Sequence, residues 1–263
     1  MADAPPPYSA SGAPSTSNGY AKQPSAAGLS SHLPSTNIPQ QPSPNTASPP
    51  LPVFPQQFGI YHASGSNTDM RISLSQESPT MFYISTHGAF SSQPSVILHC
   101  GPHERTSPMA TAELHSFSGT VDIMLLNQRL KLEREAPFSS VNSFVYPVPQ
   151  SDGQTLRERF EWKSSSGPEV QSLQGSSRGM KCVRVRSGEV VAAWARPNSG
   201  HAKKGKMRFL LNEGGMGDDR GRFEIAVVIS MLSIMEKARR SNKNSRGATA
   251  GGFGGGGAGG GGC

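Results

Sequence analysis

Between Arg222 and Arg240 the chain is apolar on every side, with Phe223, Ile225, Ala226, Val227, Val228, Ile229, Met231, Leu232, Ile234 and Met235 leaving no polar stripe. A surface helix keeps one wet face, whereas a helix hydrophobic all round must be enclosed by protein or by lipid. From Phe223 to Ala238 the run would span roughly 24 Å, short of the roughly 30 Å hydrocarbon core of a bilayer. Glu224, Ser230 and Ser233 interrupt it as well. The pattern therefore predicts a helix over 222–240 that other parts of the chain surround.

Upstream, the apolar period shortens to two. Short alternating runs separated by Gly, Pro, Ser and Asn predict strands at Met70–Leu74, Met81–Ser85, Ser95–Cys100, Ala110–His115, Val121–Leu126 and Arg129–Arg134. Further strands are expected at Ser140–Val148, Leu156–Ser164, Val170–Leu173, Met180–Arg186, Glu189–Ala195 and Lys206–Leu211. Within them Phe160 and Trp162, Val183 and Val185, and Met207, Phe209 and Leu211 are expected to face inward. Arg157, Arg159, Glu161, Arg184, Arg186, Lys206 and Arg208 are expected to face water. About twelve antiparallel strands make a barrel too wide for its own side chains to fill, and a central helix would fill it. The expected fold class is mainly β: an antiparallel barrel of about twelve strands enclosing a C-terminal hydrophobic helix.

The two ends of the chain carry neither period. Residues 1–60 hold 13 of the 22 prolines and two charges, Asp3 and Lys22. Such a segment cannot bury enough surface to offset its ordering entropy and is expected to be a disordered tail. Residues 247–263 contain 11 glycines and are expected to behave as a flexible coil. The barrel domain is thus expected over 61–246. No apolar run follows a basic start at Met1, so no secretory signal is visible. Three unpaired, widely spaced cysteines, Cys100, Cys182 and Cys263, argue for a reducing compartment. The expectation is a cytoplasmic monomer able to sit peripherally at a membrane.

Charge adds an asymmetry. From Arg178 to Arg246 there are 16 Lys and Arg against 6 Asp and Glu, while the rest of the chain holds 9 against 12. A basic surface attracts phosphate, of nucleic acid or of anionic lipid. The candidate anion-binding residues are Arg184, Arg186, Lys203, Lys204, Lys206, Arg208, Lys237, Arg239 and Arg240, with Lys243 and Arg246 beyond them. Single-stranded nucleic acid asks for exposed aromatics among the charges, and the aromatics here, Trp194, Phe209 and Phe223, read as core. Anionic lipid asks for none, so lipid is the expected partner and nucleic acid is not.

The order of blocks Glu158-Arg-Phe-Glu-Trp-Lys163, Val170-Gln-Ser-Leu173, Gly179-Met-Lys-Cys-Val183, Glu189-Val-Val-Ala-Ala-Trp194 and Gly205-Lys-Met-Arg-Phe-Leu210, closing on the apolar helix, resembles the tubby C-terminal-like domains of fungal proteins. That superfamily includes tubby, the phospholipid scramblases and the plant LURP-one-related proteins. The resemblance covers about Met70 to Arg240 and implies a twelve-stranded barrel around a C-terminal helix. It also makes a scramblase-like activity an alternative to simple lipid binding.

Other motifs carry less. Pro5, Pro6, Pro7 and Tyr8 spell the PPxY ligand of WW domains, since prolines pre-set the extended helix those modules read. An adaptor for a WW-domain protein through residues 5–8 is thus a second alternative. Cys263 ends a glycine tether after a polybasic stretch and is a candidate for S-acylation, although it lacks the three following residues of a prenylation box. Gly175-Ser-Ser-Arg-Gly179 matches the hydrolase nucleophile elbow, but a strand pattern follows it where the elbow needs a helix, so a hairpin turn is expected. His99, Cys100 and His103 repeat no tetrahedral zinc spacing and read as a buried cysteine among surface histidines. Asp218 and Asp219 precede the long helix and are expected to cap it rather than join Asn212 and Glu213 around calcium. No catalytic set, metal or cofactor is expected.

Overall fold

The computed structural model describes residues 51, 53–66, 68–115, 118–136, 139–150, 152–198, 202–211 and 216–250. Residues 1–50 and 251–263 of the expected tails, with the PPxY motif and Cys263, lie outside them, as do Asn212 and Glu213. Twelve strands form one closed antiparallel barrel: β1 (Gln57–His62), β2 (Met70–Ser73), β3 (Phe82–Thr86), β4 (Val96–His99), β5 (Pro108–Leu114), β6 (Val121–Leu125), β7 (Gln128–Arg134), β8 (Asn142–Pro149), β9 (Thr155–Ser165), β10 (Gly179–Arg184), β11 (Val190–Ala195) and β12 (Lys203–Phe209). Each strand pairs with its sequence neighbours, and β1 closes the ring on β12. Then a 3₁₀ turn at Gly217–Asp219 leads into helix α2, Arg220–Ala250.

Helix α2 is the core. Phe223, Ile225, Val227, Val228, Ile229, Met231 and Leu232 are each at most 1% exposed and share one cluster with the inward side chains of the wall. Burying seven such side chains stabilises by roughly 10–20 kcal/mol as an upper figure, comparable to or larger than the net stability of a typical domain, about 5–15 kcal/mol. The helix is therefore an obligate part of the barrel. Among the described residues no helix is long and apolar enough to cross a membrane.

Polar links hold the helix in register. The indole Nε1–H of Trp162 on β9 donates to Ser230 Oγ at 2.8 Å, deep inside. At the end where the helix enters, Tyr146 donates its hydroxyl to Asp219 at 2.6 Å, and Phe223 packs 4.7 Å from the Phe160 ring and 5.2 Å from the Tyr146 ring. Asp219 thus ties the start of the helix to β8, the observed role of a residue expected to cap. Phe54 plugs the same end against Phe58, Phe82 and Phe209.

Several details differ from the expectation, among them Glu161, which was expected to face water but is 7% exposed and paired with Arg159 and Lys163. Val170–Leu173 belongs to a short helix, α1 (Pro168–Gln171), with Pro168 in its first turn; Val170 and Leu173 cover the outward Ala193 and Ala195 of β11. Strand β1 was not anticipated and starts at Gln57, ahead of residue 61. The long helix runs 220–250, beyond the 222–240 expected. On β10 the phase is reversed. Cys182 pairs with Trp162 and Arg184 with Phe160, so Cys182 and Arg184 take the inner face, and Val185 is exposed instead of buried.

The wall is not uniform. Strands β5, β6 and β7 are registered over five residue pairs each, and β8 and β9 over eight, but β7 meets β8 through only Glu133↔Ser143 and Arg134↔Asn142. The Glu135 N–H bond to Val141 O sets which β8 residues turn their backbone toward β7, and by alternation Pro147 and Pro149 are among them. Proline has no N–H to leave bare, so this thin seam is protected where it parts.

Candidate functional site

Helix α2 leaves the barrel beside the β3–β4 and β5–β6 loops, and the basic residues expected to bind anions divide between this exit end and the rest of the molecule. At the exit Lys237 Nζ donates to Gly119 O at 2.7 Å, and Arg240 Nη2 donates to His87 O at 2.6 Å. Arg239 and Arg240 both grip Glu236, whose side chain is 1% exposed, with the nearest contacts at 2.6 Å and 2.8 Å. One carboxylate therefore serves two guanidiniums, and a positive excess remains. Lys204, on β12, faces the same group.

Burial dominates the electrostatics of the lysines near this end of β12 and of α2. Burial first, then the Arg239 charge, lowers the Lys204 pKa. Burial and then Arg134 lower that of Lys237, and burial and then Lys206 lower that of Lys203. Each shift means that the protonated lysine lacks the solvation or counter-charge it would have in water. Lys203 lies 6.0 Å from the Tyr61 ring, which Arg71 also approaches at 5.1 Å. Along the emerging helix, apart from Lys203 and Tyr61, opens a groove of about 870 Å³ lined by Phe90, Arg134, Asn142, Lys237, Arg239, Arg240 and Lys243 among others. The two buried side-chain atoms without a partner among the described residues, His62 Nδ1 and Trp194 Nε1, belong to strands whose ends reach this mouth.

The remaining candidates go elsewhere. Arg184 forms a two-point ion pair with Glu158, Nη2 to Oε1 at 2.8 Å, with its side chain 16% exposed at the entry end. That hydrogen bond holds the Glu158 carboxyl below its usual pKa and raises the guanidinium's. Its charge is spent on Glu158, which corrects the expectation of a solvent-facing Arg184. Arg186 is 67% exposed at that same end, 3.9 Å from Glu158. Arg208 lies on the outer wall, bonded to Gln57 and Ser172. Lys206 is half-buried on β12.

Sequence reasoning missed three members of the exit group. Glu236 reads as an ordinary charge on a helix, yet it is the counter-ion that positions two arginines. Arg134 sits at the end of β7, far in sequence from Lys237, Arg239 and Arg240, and only barrel closure brings it to the groove. Phe90 lies between two strand patterns and carried no period of its own.

The other motifs resolve plainly. Gly175 and Gly179 serve close approach and not a hairpin: a Cβ on them would stand 2.4 Å from Arg196 O and 2.1 Å from Trp194 O. Strand β10 follows, so no elbow exists. Cys100 is exposed and His99 buried, the reverse of the expected arrangement. His99 Nε2 meets Ser85 Oγ at 2.7 Å, and its Nδ1 donates to Thr106 O at 2.8 Å, a closed network beneath the β4–β5 loop. Among the described residues no group of three metal-ligating side chains converges. A second groove, about 780 Å³, lies over the β7–β8 seam with Ile123, Leu130 and Phe144 at its floor and charges of both signs around it. No family model, curated protein or solved structure matches the chain.

Proposed function

We propose that this barrel is a non-enzymatic module that docks peripherally on anionic membranes with its helix-exit end. The observation carrying the reading is the gathering of Lys204, Lys237, Arg239 and Arg240 at one mouth, where Glu236 neutralises only part of their charge and burial lowers the pKa of both lysines. Cations held short of counter-charge gain most from an external anion, and a lipid headgroup supplies one without the base stacking that nucleic acid requires. We also read the chain as a tubby C-terminal-like domain. Supporting that reading are the block order from Glu158 to Leu210 and a closed twelve-strand barrel with the helix last in sequence.

Cosedimentation with liposomes tests the docking reading. Recovery should rise when phosphatidylserine or a phosphoinositide is added to neutral vesicles, and fall with salt. At about 1 kcal/mol per basic residue near the surface, the combined variant Lys204→Gln, Lys237→Gln, Lys243→Gln should lose on the order of 100-fold in affinity. Arg208→Gln, away from the mouth, should bind as the parent does. Equal recovery with neutral and acidic vesicles refutes the reading.

A further inference from the structure

Phe90 stands at the tip of the β3–β4 loop with its side chain wholly exposed, at 104% of the reference value, and all residues from Gly88 to Gln93 are exposed around it. A phenyl ring with no protein contact is costly to leave in water, yet the loop does not turn it inward. The loop is framed. His87 N–H donates to Ser95 O at 3.0 Å, Ser91 N–H to Gly88 O at 3.1 Å and Gln93 N–H to Ser91 Oγ at 3.1 Å. The Arg240 guanidinium fastens the base of the loop to helix α2. The ring is thereby held out beside Lys237, Arg239 and Lys243, with which it lines one groove.

An aromatic ring projecting from a collar of cations has a defined complement. Basic side chains lodge among acidic headgroups, while an aromatic prefers the boundary between headgroups and acyl chains. Other large apolar side chains with high exposure, such as Leu74, Leu126 and Val185, lie on the loops at or next to the opposite end, where Arg184, Arg220 and Arg222 each face a carboxylate of their own. We infer that Phe90 is a wedge that enters the interfacial layer of an anionic bilayer when the basic mouth docks. This inference rests on the docking reading above and fixes the orientation: the helix-exit end faces the lipid, and the Phe54 plug faces away.

The test uses the full chain carrying Phe90→Trp, with vesicles of phosphatidylcholine and phosphatidylserine. Trp162 and Trp194 are buried in the barrel and supply a constant background. Adding acidic vesicles should shift the introduced indole's emission to the blue, and lipids brominated on the acyl chain should quench it. Phe90→Ser should weaken vesicle binding by about tenfold and leave thermal unfolding unchanged, since the ring touches nothing. Wild-type protein that ignores acidic vesicles overturns the docking reading and the wedge together. Binding with the indole unshifted and unquenched, or with Phe90→Ser at full affinity, overturns the wedge alone. A blue shift seen only with an added protein partner overturns the lipid wedge in favour of a protein-docking loop.

Discussion

Replacing Ser230 with alanine should destabilise the barrel by about 1–3 kcal/mol, whereas the same change at Ser233 should cost less than about 0.5 kcal/mol. Both hydroxyls are fully buried on α2, and both donate to a carbonyl of their own helix: Ser230 to Val227 O at 2.8 Å and Ser233 to Ile229 O at 2.7 Å. Removing that internal bond is nearly free, because alanine is the better helix former and the carbonyl keeps its backbone donor. Ser230 differs in one respect: it also accepts the Trp162 Nε1–H. Without it a buried indole donor is left with no acceptor and bears its full desolvation cost. The comparison between the two serines therefore isolates the link between helix and wall. Urea unfolding followed by fluorescence and far-ultraviolet dichroism measures it. With a slope of about 2 kcal/mol/M, the Ser230→Ala midpoint should fall by roughly 0.5–1.5 M and the Ser233→Ala midpoint should barely move. In a Trp162→Phe background Ser230→Ala should cost almost nothing, giving a coupling energy of about 1 kcal/mol or more. Equal midpoints for the two serine variants, or zero coupling, would refute the assigned role of the bond.

Phe223→Ala should remove the ring wedged against Tyr146 and Phe160 and cost about 3–5 kcal/mol in the same unfolding experiment; a loss under 1 kcal/mol would mean the entry end is loosely packed. Gly205→Ala would place a Cβ 2.3 Å from Trp194 Nε1 and 2.9 Å from Ala195 O, so calorimetry should show about 1–3 kcal/mol of overpacking. Because Arg184 lowers the Glu158 pKa, the stability from that pair is present above the unfolded value of 4.5 and is lost as pH falls through the lower folded value. Glu158→Gln should flatten that part of the stability curve in acid, and a curve of unchanged slope would show that the pair does not form in solution.

The wall was legible where both faces of a strand declare themselves. Phe160 and Trp162 alternate with Arg159 and Lys163, and that period is enough to place β9. Strand β1 was hidden by the proline-rich stretch before it and by Gly59, whose missing side chain makes room for the Tyr61 ring lying over it. The error at Val170–Leu173 had a signal available. Val170 and Leu173 are three apart, a helical spacing, and Pro168 with Glu169 in the first turn is a helix start. On β10 the valines argued for one phase, but Cys182 opposite Trp162 and Arg184 opposite Phe160 decided the other, because Glu158 waits inside to neutralise the arginine. Pairing information of that kind is not written in a single strand. The basic site was half legible for the same reason. Composition shows how much charge the last third carries, but only closure of the ring assigns Lys204 and Lys237 to one mouth and Arg186 to the other.

Threading has an order imposed on it by the gene. All twelve staves of this cask are synthesised before the bung that keeps them apart, so a nascent chain lacking the residues from Arg220 onward has a hollow it cannot fill with its own side chains. Tight curling must then await the last part of translation, and the two-rung join between β7 and β8 is the natural place for the hoop to spread and admit its occupant. Chains ending before Arg220 should accordingly be digested rapidly by added protease, with early cuts near residues 135–141. A truncated chain as resistant as the whole would show that the staves stand without their filling.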